Sequence, residues 1–325
     1  MLRFLAIFLL LAMLYLAWAL ALPLAPDKPQ DLLFPPGSSS NSIAAGLQRA
    51  GVVRSRLAFE LLHLAMPRKK LKAGEYRFVH AANGLEVFNR IARGDVLVRT
   101  VVVPEGFNMF EIAAAIEDAG LGKQADFLAV ANHDTALIHS IDPQAKSLEG
   151  YLFPDTYQFS RTMTMHDMAA AMVKRFQREA QALGLQQDTH RLVTLASIVE
   201  KETAAPDERS EVASVYSNRL ARNMVLAADP TVVYAALLNG SYRGAIYQSD
   251  LQSDSPYNTY RFPGLPPGPI ANPGAASLRA AMQPAQTAFL FFVAAGDGTG
   301  RHHFSADFEH HERNVIAYRK AMKAH

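Results

Sequence analysis

Hydrophobic and polar positions change their rhythm several times along this chain. From Phe4 to Leu22, "FLAIFLLLAMLYLAWALAL" is continuously apolar, close to the roughly 20 residues that a helix needs to cross a bilayer. Residues 23–30, "PLAPDKPQ", interrupt the run with prolines and polar side chains and form a short tether. A local echo follows. "FPPGSSSNSIAAGLQRAG" (34–51) aligns without a gap on "VPEGFNMFEIAAAIEDAG" (103–120). Each copy leads with Pro-x-Gly, places apolar residues at Ile43 and Leu47 or Ile112 and Ile116, and closes on Ala50-Gly51 or Ala119-Gly120. That pattern predicts a strand, a tight turn and an amphipathic helix stopped by glycine. Two generic strand–turn–helix units would give a similar pattern, but the ungapped match favours a local duplication. Strands at 72–78 ("KAGEYRF") and 97–103 ("LVRTVVV"), with a helix at 84–94, complete a small α+β module over 31–120.

From 121 to 325 the pattern is mainly helical. Helices are predicted at 124–132, 165–183, 189–202, 207–222, 230–238 and 274–283. "AFLFFVAA" (288–295), a glycine-rich turn and "RHHFS" (301–305) predict a hairpin, and Asp307 caps a final helix to about Lys323. Between 254 and 274, "DSPYNTYRFPGLPPGPIANPG" is too rich in proline and glycine for regular structure. It also carries Tyr257, Tyr260, Phe262 and Leu265, more apolar bulk than a disordered segment holds. An ordered loop lining a site is expected there. The fold class is therefore α+β: a transmembrane helix (1–22), the tether, the small module and a mainly helical domain with a C-terminal β-hairpin.

Composition narrows the function. The chain has 325 residues, half of them hydrophobic, and a net charge of +2 with both signs scattered. No basic run or basic surface interleaved with aromatics stands out, which argues against nucleic-acid binding. There is no cysteine, so disulfides, thiolate catalysis and cysteine metal sites are excluded. Arg3 and the amino group precede the apolar run and Pro23 ends it. The charge favours an N-terminus inside the cell and the remaining residues outside. A cleaved signal peptide is the competing account, since "AWALALPLA" contains small residues that a peptidase accepts. Its apolar stretch is usually about 7–15 residues, shorter than this one, and an uncleaved anchor is expected.

The candidate chemistry lies in "LASIVEKET" (195–203). Around a helix over 189–202, Leu192, Leu195, Ala196, Ile198 and Val199 share an apolar arc, while Thr194, Ser197 and Lys201 share the polar side. Glu200 and Glu202 both fall inside the apolar arc. A carboxyl group against an apolar wall loses hydration and gains proton affinity, as a general acid near neutral pH requires. The plainer alternative is a helix-end glutamate that turns to water or pairs with Arg209 or Arg219. The two glutamates point about 200° apart, so they cannot be the two facing carboxylates of an ordinary glycoside hydrolase. One substrate class permits a single carboxyl group. In peptidoglycan, the C6 hydroxyl of N-acetylmuramic acid can attack C1 of its own ring and give a 1,6-anhydro end. The same acid protonates the leaving oxygen and then, as carboxylate, takes the hydroxyl proton.

Several further motifs stand in a fixed order: "KAGEYRF" (72–78), "LEGYLFPDTY" (148–157), "ASIVEKET" (196–203), "ERSEVASVYSNRL" (208–220), "DPTVVYA" (229–235), "SPYNTY" (255–260), "GLPPGPIANPG" (264–274), "SLRAAMQPA" (277–285) and a C-terminal "HHFSADFEHH". In these the chain resembles the endolytic murein transglycosylase, or YceG-like, family over nearly its whole length. The resemblance implies a single-pass protein of the bacterial inner membrane, N-terminus cytoplasmic and body periplasmic. It implies a LysM-like module over 31–120 and a catalytic domain over 121–325. It also implies cleavage of nascent glycan strands beside the peptidoglycan synthases of the elongation machinery, with no cofactor. Within the motif the catalytic role carries to Glu200, and Glu202 then fixes the helix end. Where the family has Leu-Gln-Ser or Leu-Gln-Thr before Asp-Pro-Thr, this chain has Leu226-Ala227-Ala228. The missing amide puts any substrate contact there in doubt. The family's His-x-Phe and later His fall on His302, Phe304 and His311.

Other candidates have plainer accounts beside the functional one. Asp229-Pro230 fits a helix start and also sugar binding. Asn258, Tyr257 and Tyr260 offer an amide and hydroxyls for sugar recognition, or satisfy loop backbone. In "LEGYLFPDTY", Glu149 and Asp155 join the candidate substrate-binding set, Asp155 also as a turn cap. Tyr151, Phe153 and Tyr157 suit either sugar stacking or the core. His302, His303, His310 and His311 match no helical zinc spacing, and no metal is expected. Two rival functions remain: a hydrolase of the same substrate that activates water with Asp229 or Glu202, and a non-catalytic cell-wall-binding scaffold.

Overall fold

The computed structural model describes residues 1–203 and 205–324. Two compact units share the chain. The first holds Met1–Thr100 and Gln158–Thr164; the second holds Val101–Tyr157 and the chain from Met165 onward.

The first unit opens with α1 (Leu2–Ala21), long and apolar enough to cross a membrane. Then come β1 (Gln30–Phe34), α2 (Ser40–Arg49), α3 (Arg56–Ala65), β2 (Gly74–Phe78), α4 (Gly84–Arg93) and the start of β3 (Val98–Val102). β1 and β2 are antiparallel, in register from Gln30 opposite Phe78 to Phe34 opposite Gly74. Side chains set the helix starts. Ser39 accepts from the Ser42 N–H, Ser55 from Ala58, and Asn83 with Glu86 forms a reciprocal capping box. Phe34, Ile43, Leu47, Phe59, Tyr76, Phe88 and Ile91 close the core.

The second unit contains α5 (Met109–Asp118), α6 (Gln124–His133), a 3₁₀ turn at Thr135–Leu137, β4 (Thr156–Ser160), which pairs with β3, and α7 (Met165–Leu183). It continues through α8 (Thr189–Glu202), α9 (Arg209–Ala221), α10 (Asp229–Leu238), the short α11 (Gln248–Leu251) and α12 (Ala275–Met282). The antiparallel hairpin β5 (Phe291–Ala294) and β6 (His302–Ser305) and then α13 (Phe308–Ala324) end it. Helix α8 packs against α9, α10 and α12. The molecule is mixed α+β, mostly helical, with two-stranded sheets and a C-terminal hairpin.

Both copies of the echo fold alike. The turn glycines Gly37 and Gly106 have φ of 83° and 79°, and the closing glycines Gly51 and Gly120 both have 67°. Each copy's helix has 10 residues, behind the caps Ser39 and Asn108. The copies nevertheless belong to different units: in the second, Met109, Ile112, Ala113 and Ile116 are buried and α5 packs on α6. The sequence reading left out α3, β4, α11 and the 3₁₀ turn.

Candidate functional site

Helix α8 is enclosed almost all round. Every residue from Val193 to Val199 is buried, including Thr194 and Ser197, which the helical pattern assigned to a polar side. They avoid unpaired burial locally: Thr194 Oγ1 donates to the His190 carbonyl and Ser197 Oγ to that of Thr194. Ser197 Oγ also accepts from the Ile270 N–H at 3.0 Å, tying the Pro/Gly-rich loop to the helix. A second tie lies at the helix start, where His190 Nδ1 is 2.7 Å from Asp142 and Nε2 is 3.0 Å from the Pro267 carbonyl.

At the other end, the Glu200 side chain is 4% exposed. Its wall is not bare. Oε1 accepts from Arg209 Nη2 at 3.2 Å and Oε2 from the Gly274 N–H at 2.9 Å. Gly274 is the N-cap residue of α12, so the positive end of that helix adjoins the carboxylate. The pairing with Arg209 is the plainer alternative raised by the sequence, and it coexists with burial. Arg209 Nη2 also lies 3.8 Å from Glu105 Oε2. Glu105, half-exposed, lies so close over Gly274 that an added Cβ there would meet its carboxyl at 1.9 Å. Only glycine fits. Burial, and then the Glu200 charge, push the Glu105 carboxyl up, with Arg209 opposing. Glu105 belongs to the Pro-Glu-Gly turn before α5, which the sequence presented only as half of an echo.

The turn is anchored by Asn272. Its backbone exchanges hydrogen bonds with Gly106 and Phe107. Its side chain accepts from the Leu152 N–H and donates to the Phe107 carbonyl and Glu149 Oε1. Lys201 Nζ donates to the Gly106 carbonyl at 3.2 Å. Beside this junction opens a cleft of about 550 Å³ whose wall includes Asn108, Lys201, Asp229, Tyr234, Tyr242 and Ile270.

The other candidates divide between this junction and separate networks. Glu202 faces away from Glu200, as the spacing requires, and accepts from the Tyr216 hydroxyl at 2.8 Å. Burial pushes it up to about 7, and the charge of Asp229 adds to the effect. Tyr260 donates to Asp229 at 2.6 Å, and Asp229 lines the cleft. Asn258 is fully buried and satisfies loop backbone: its amide donates to the Leu251 and Ser253 carbonyls and its oxygen accepts from the Tyr260 N–H. Tyr257 rests 5.2 Å from the Tyr234 ring. Glu149 is buried at 1% exposure, accepts from Met109 and Asn272, and presents nothing to a ligand. Asp155 pairs with Arg175 at 2.8 Å. Tyr151, Phe153 and Tyr157 are core residues. His302 Nδ1 lies 2.8 Å from Glu208, and no group of three His, Asp or Glu among the described residues is placed to hold a metal.

Comparison with known proteins adds the following. The YceG-like family model matches residues 32–317. An endolytic murein transglycosylase of Bacillus subtilis is 32% identical over 292 residues, covering 82% of this chain and 79% of the relative. One from Streptococcus pneumoniae is 30% identical over 325 residues, covering 87% of this chain. The chain spans only 57% of that relative's length. A crystal structure of a yceG-like protein from Listeria monocytogenes is 32% identical, with a TM-score of 0.57 over 88% of this chain and 99% of that one.

Proposed function

The chain belongs to the YceG-like family, and on that footing we propose that it is a lytic transglycosylase cleaving the MurNAc–GlcNAc bond within nascent peptidoglycan strands. The product is a 1,6-anhydro-MurNAc end, which terminates or trims the growing glycan. Helix α1 anchors the enzyme in the bacterial inner membrane, N-terminus cytoplasmic, with a LysM-like module and the catalytic body in the periplasm beside the peptidoglycan synthases.

One observation carries the reading: the Glu200 carboxyl is withdrawn from water where the end of α8, the Pro-Glu-Gly turn and the start of α12 converge. Protonated Glu200 gives its proton to the glycosidic oxygen as the C1–O bond breaks. The resulting carboxylate takes the proton of the C6 hydroxyl, whose oxygen bonds to C1. Glu200 ends as it began, and no water is consumed. Glu105 supplies a negative neighbour to the site, while Arg209 and the Gly274 N–H hold the carboxylate that remains.

Mass spectrometry of digested glycan tests this. Wild-type enzyme leaves ends lighter by one water than hydrolysed ends, and Glu200→Gln leaves none while keeping its circular dichroism spectrum. Hydrated ends from the wild type would make the protein a hydrolase instead. A second reading places the acid at Glu202, favoured by its upward shift to about 7. Activity lost in Glu202→Gln but kept in Glu200→Gln would transfer the role. Under the present proposal Glu202 braces α8 against α9 through Tyr216.

A further inference from the structure

Helix α1 has 20 residues, about 30 Å at 1.5 Å per residue, which is about the thickness of a bilayer's hydrocarbon core. A full span would use all of it. Yet its last two turns are held by the rest of the first unit. The Tyr15 hydroxyl lies 2.6 Å from Ser55 Oγ, and buried Ser55 is the N-cap of α3. The Arg54 guanidinium sits 5.7 Å from the Trp18 ring centroid and donates to the carbonyls of Leu22 and Pro23. Ala19 is buried, and Leu20 packs so closely on Gly84 that an added Cβ would meet it at 3.0 Å. The Leu24–Ala82 bridge then secures the tether to the same unit. These contacts begin at Tyr15, although Tyr15 and Trp18 themselves stay about half exposed; a helix sunk in lipid only as far as that point would be about 10 Å short of a full span unless the unit itself reaches the bilayer.

Helix α3, which packs on α1, has a surface suited to that contact. Leu57, Leu61 and Leu64 are 59%, 42% and 73% exposed. They fall at i, i+4 and i+7, one stripe on the helix, while Ala58 and Phe59 fill the core. Exposed Arg68, Lys69 and Lys70 follow after Met66 and Pro67, placing positive charge where lipid phosphates would lie. Tyr15 and Trp18 are the ring types that concentrate at that depth.

We propose that α3 lies in the membrane surface, its leucine stripe at the boundary of headgroups and acyl chains and the basic run on anionic headgroups. The first unit is then seated on the bilayer instead of hanging from a slack linker. This rests on α1 being an uncleaved anchor, and the test separates the two claims.

The chain has no cysteine, so a single introduced cysteine takes an environment-sensitive fluorophore at one known place. Full-length Leu57→Cys, Leu61→Cys and Leu64→Cys are labelled and reconstituted into phosphatidylethanolamine–phosphatidylglycerol vesicles, with Leu10→Cys reporting the anchor. The expected result is loss of fluorescence to doxyl-labelled lipid at all four positions, with aqueous iodide ineffective. Quenching of Leu10 by lipid while iodide quenches the α3 positions overturns the proposal and leaves the anchor standing. Protection of the α3 positions from both quenchers also overturns it, because protein then covers the stripe. No lipid quenching at Leu10 removes the anchor and the proposal together.

Discussion

Glu105 and Glu200 divide one arginine between them, and the division is unequal. Arg209 Nη2 is 3.2 Å from Glu200 and 3.8 Å from Glu105, and Arg209 Nε is buried with no hydrogen-bond partner among the described residues. Removing the Glu105 charge should therefore strengthen the hold of Arg209 on Glu200. Glu105→Gln is expected to lower kcat by about tenfold, less than the roughly 10²–10⁴-fold that a direct acid–base group contributes. An unchanged kcat would reduce Glu105 to a packing role. Ala227 poses a different residue-scale question. It stands where the resembled family has glutamine, and its φ is 50°, a left-handed conformation that costs an L-residue roughly 1–2 kcal/mol. Glycine removes that strain but gains freedom in the unfolded chain, about 0.4–1 kcal/mol. Ala227→Gly should be more stable by about 0.5–1 kcal/mol in urea unfolding; a loss of stability would show that the methyl group packs more than it strains.

At the scale of elements, Asn272 connects the Pro/Gly-rich loop, the turn before α5 and the segment before β4. Replacing it with alanine leaves the Leu152 N–H and the Glu149 carboxyl each short of a partner, at about 1–3 kcal/mol per buried group. Asn272→Ala should lower stability by about 2–6 kcal/mol; a cost below 1 kcal/mol would mean that water replaces the amide. Glu149 gives the same bracket a pH dependence. Burial pushes it up to about 8 from an ordinary carboxyl value near 4.5, so the folded state binds the extra proton between those limits. Its contribution is fully present below about pH 4.5 and is lost as pH rises through 8. Glu202, at about 7, acts in the same direction. Stability should decline from about pH 5 to pH 9, and a rise over that interval would contradict the assigned shifts. Helices α6 to α10 and α12 were legible because breakers bound them clearly, and α7 adds a 3.6-residue rhythm. Helix α3 was not, since exposed Leu57, Leu61 and Leu64 lay a second apolar stripe beside its polar one. The buried Thr194 and Ser197 misled for the converse reason: their hydroxyls are satisfied within the helix. Glu200 was legible from its motif. Glu105 was not, because the contact that gives it meaning, with Gly274 and Arg209, closes over more than 90 residues of chain, although a carboxylate before a turn glycine was a signal available to be read.

At the scale of the whole molecule, the site keeps to one unit. Glu105, Glu200, Arg209 and Gly274 all lie within the second, and a catalytic domain begun at 121 would omit Glu105 and all of α5. That cut removes buried Met109, Ile112 and Ile116, each worth roughly 1.5–3 kcal/mol of apolar burial, and deprives Glu149 of the Met109 N–H. The combined loss is comparable with the whole stability of an ordinary domain, about 5–15 kcal/mol. A chain of residues 121–325 should therefore show no cooperative urea transition and release no anhydro ends from soluble glycan. A chain of residues 98–325 keeps the paired strands β3 and β4, the Pro-Glu-Gly turn and α5. It should unfold cooperatively and retain cleavage, since all four groups of the proposed site remain. Folding and cleavage by the shorter chain would mean that neither Glu105 nor its turn takes part, and the acid would have to work with Arg209 and the α12 terminus alone.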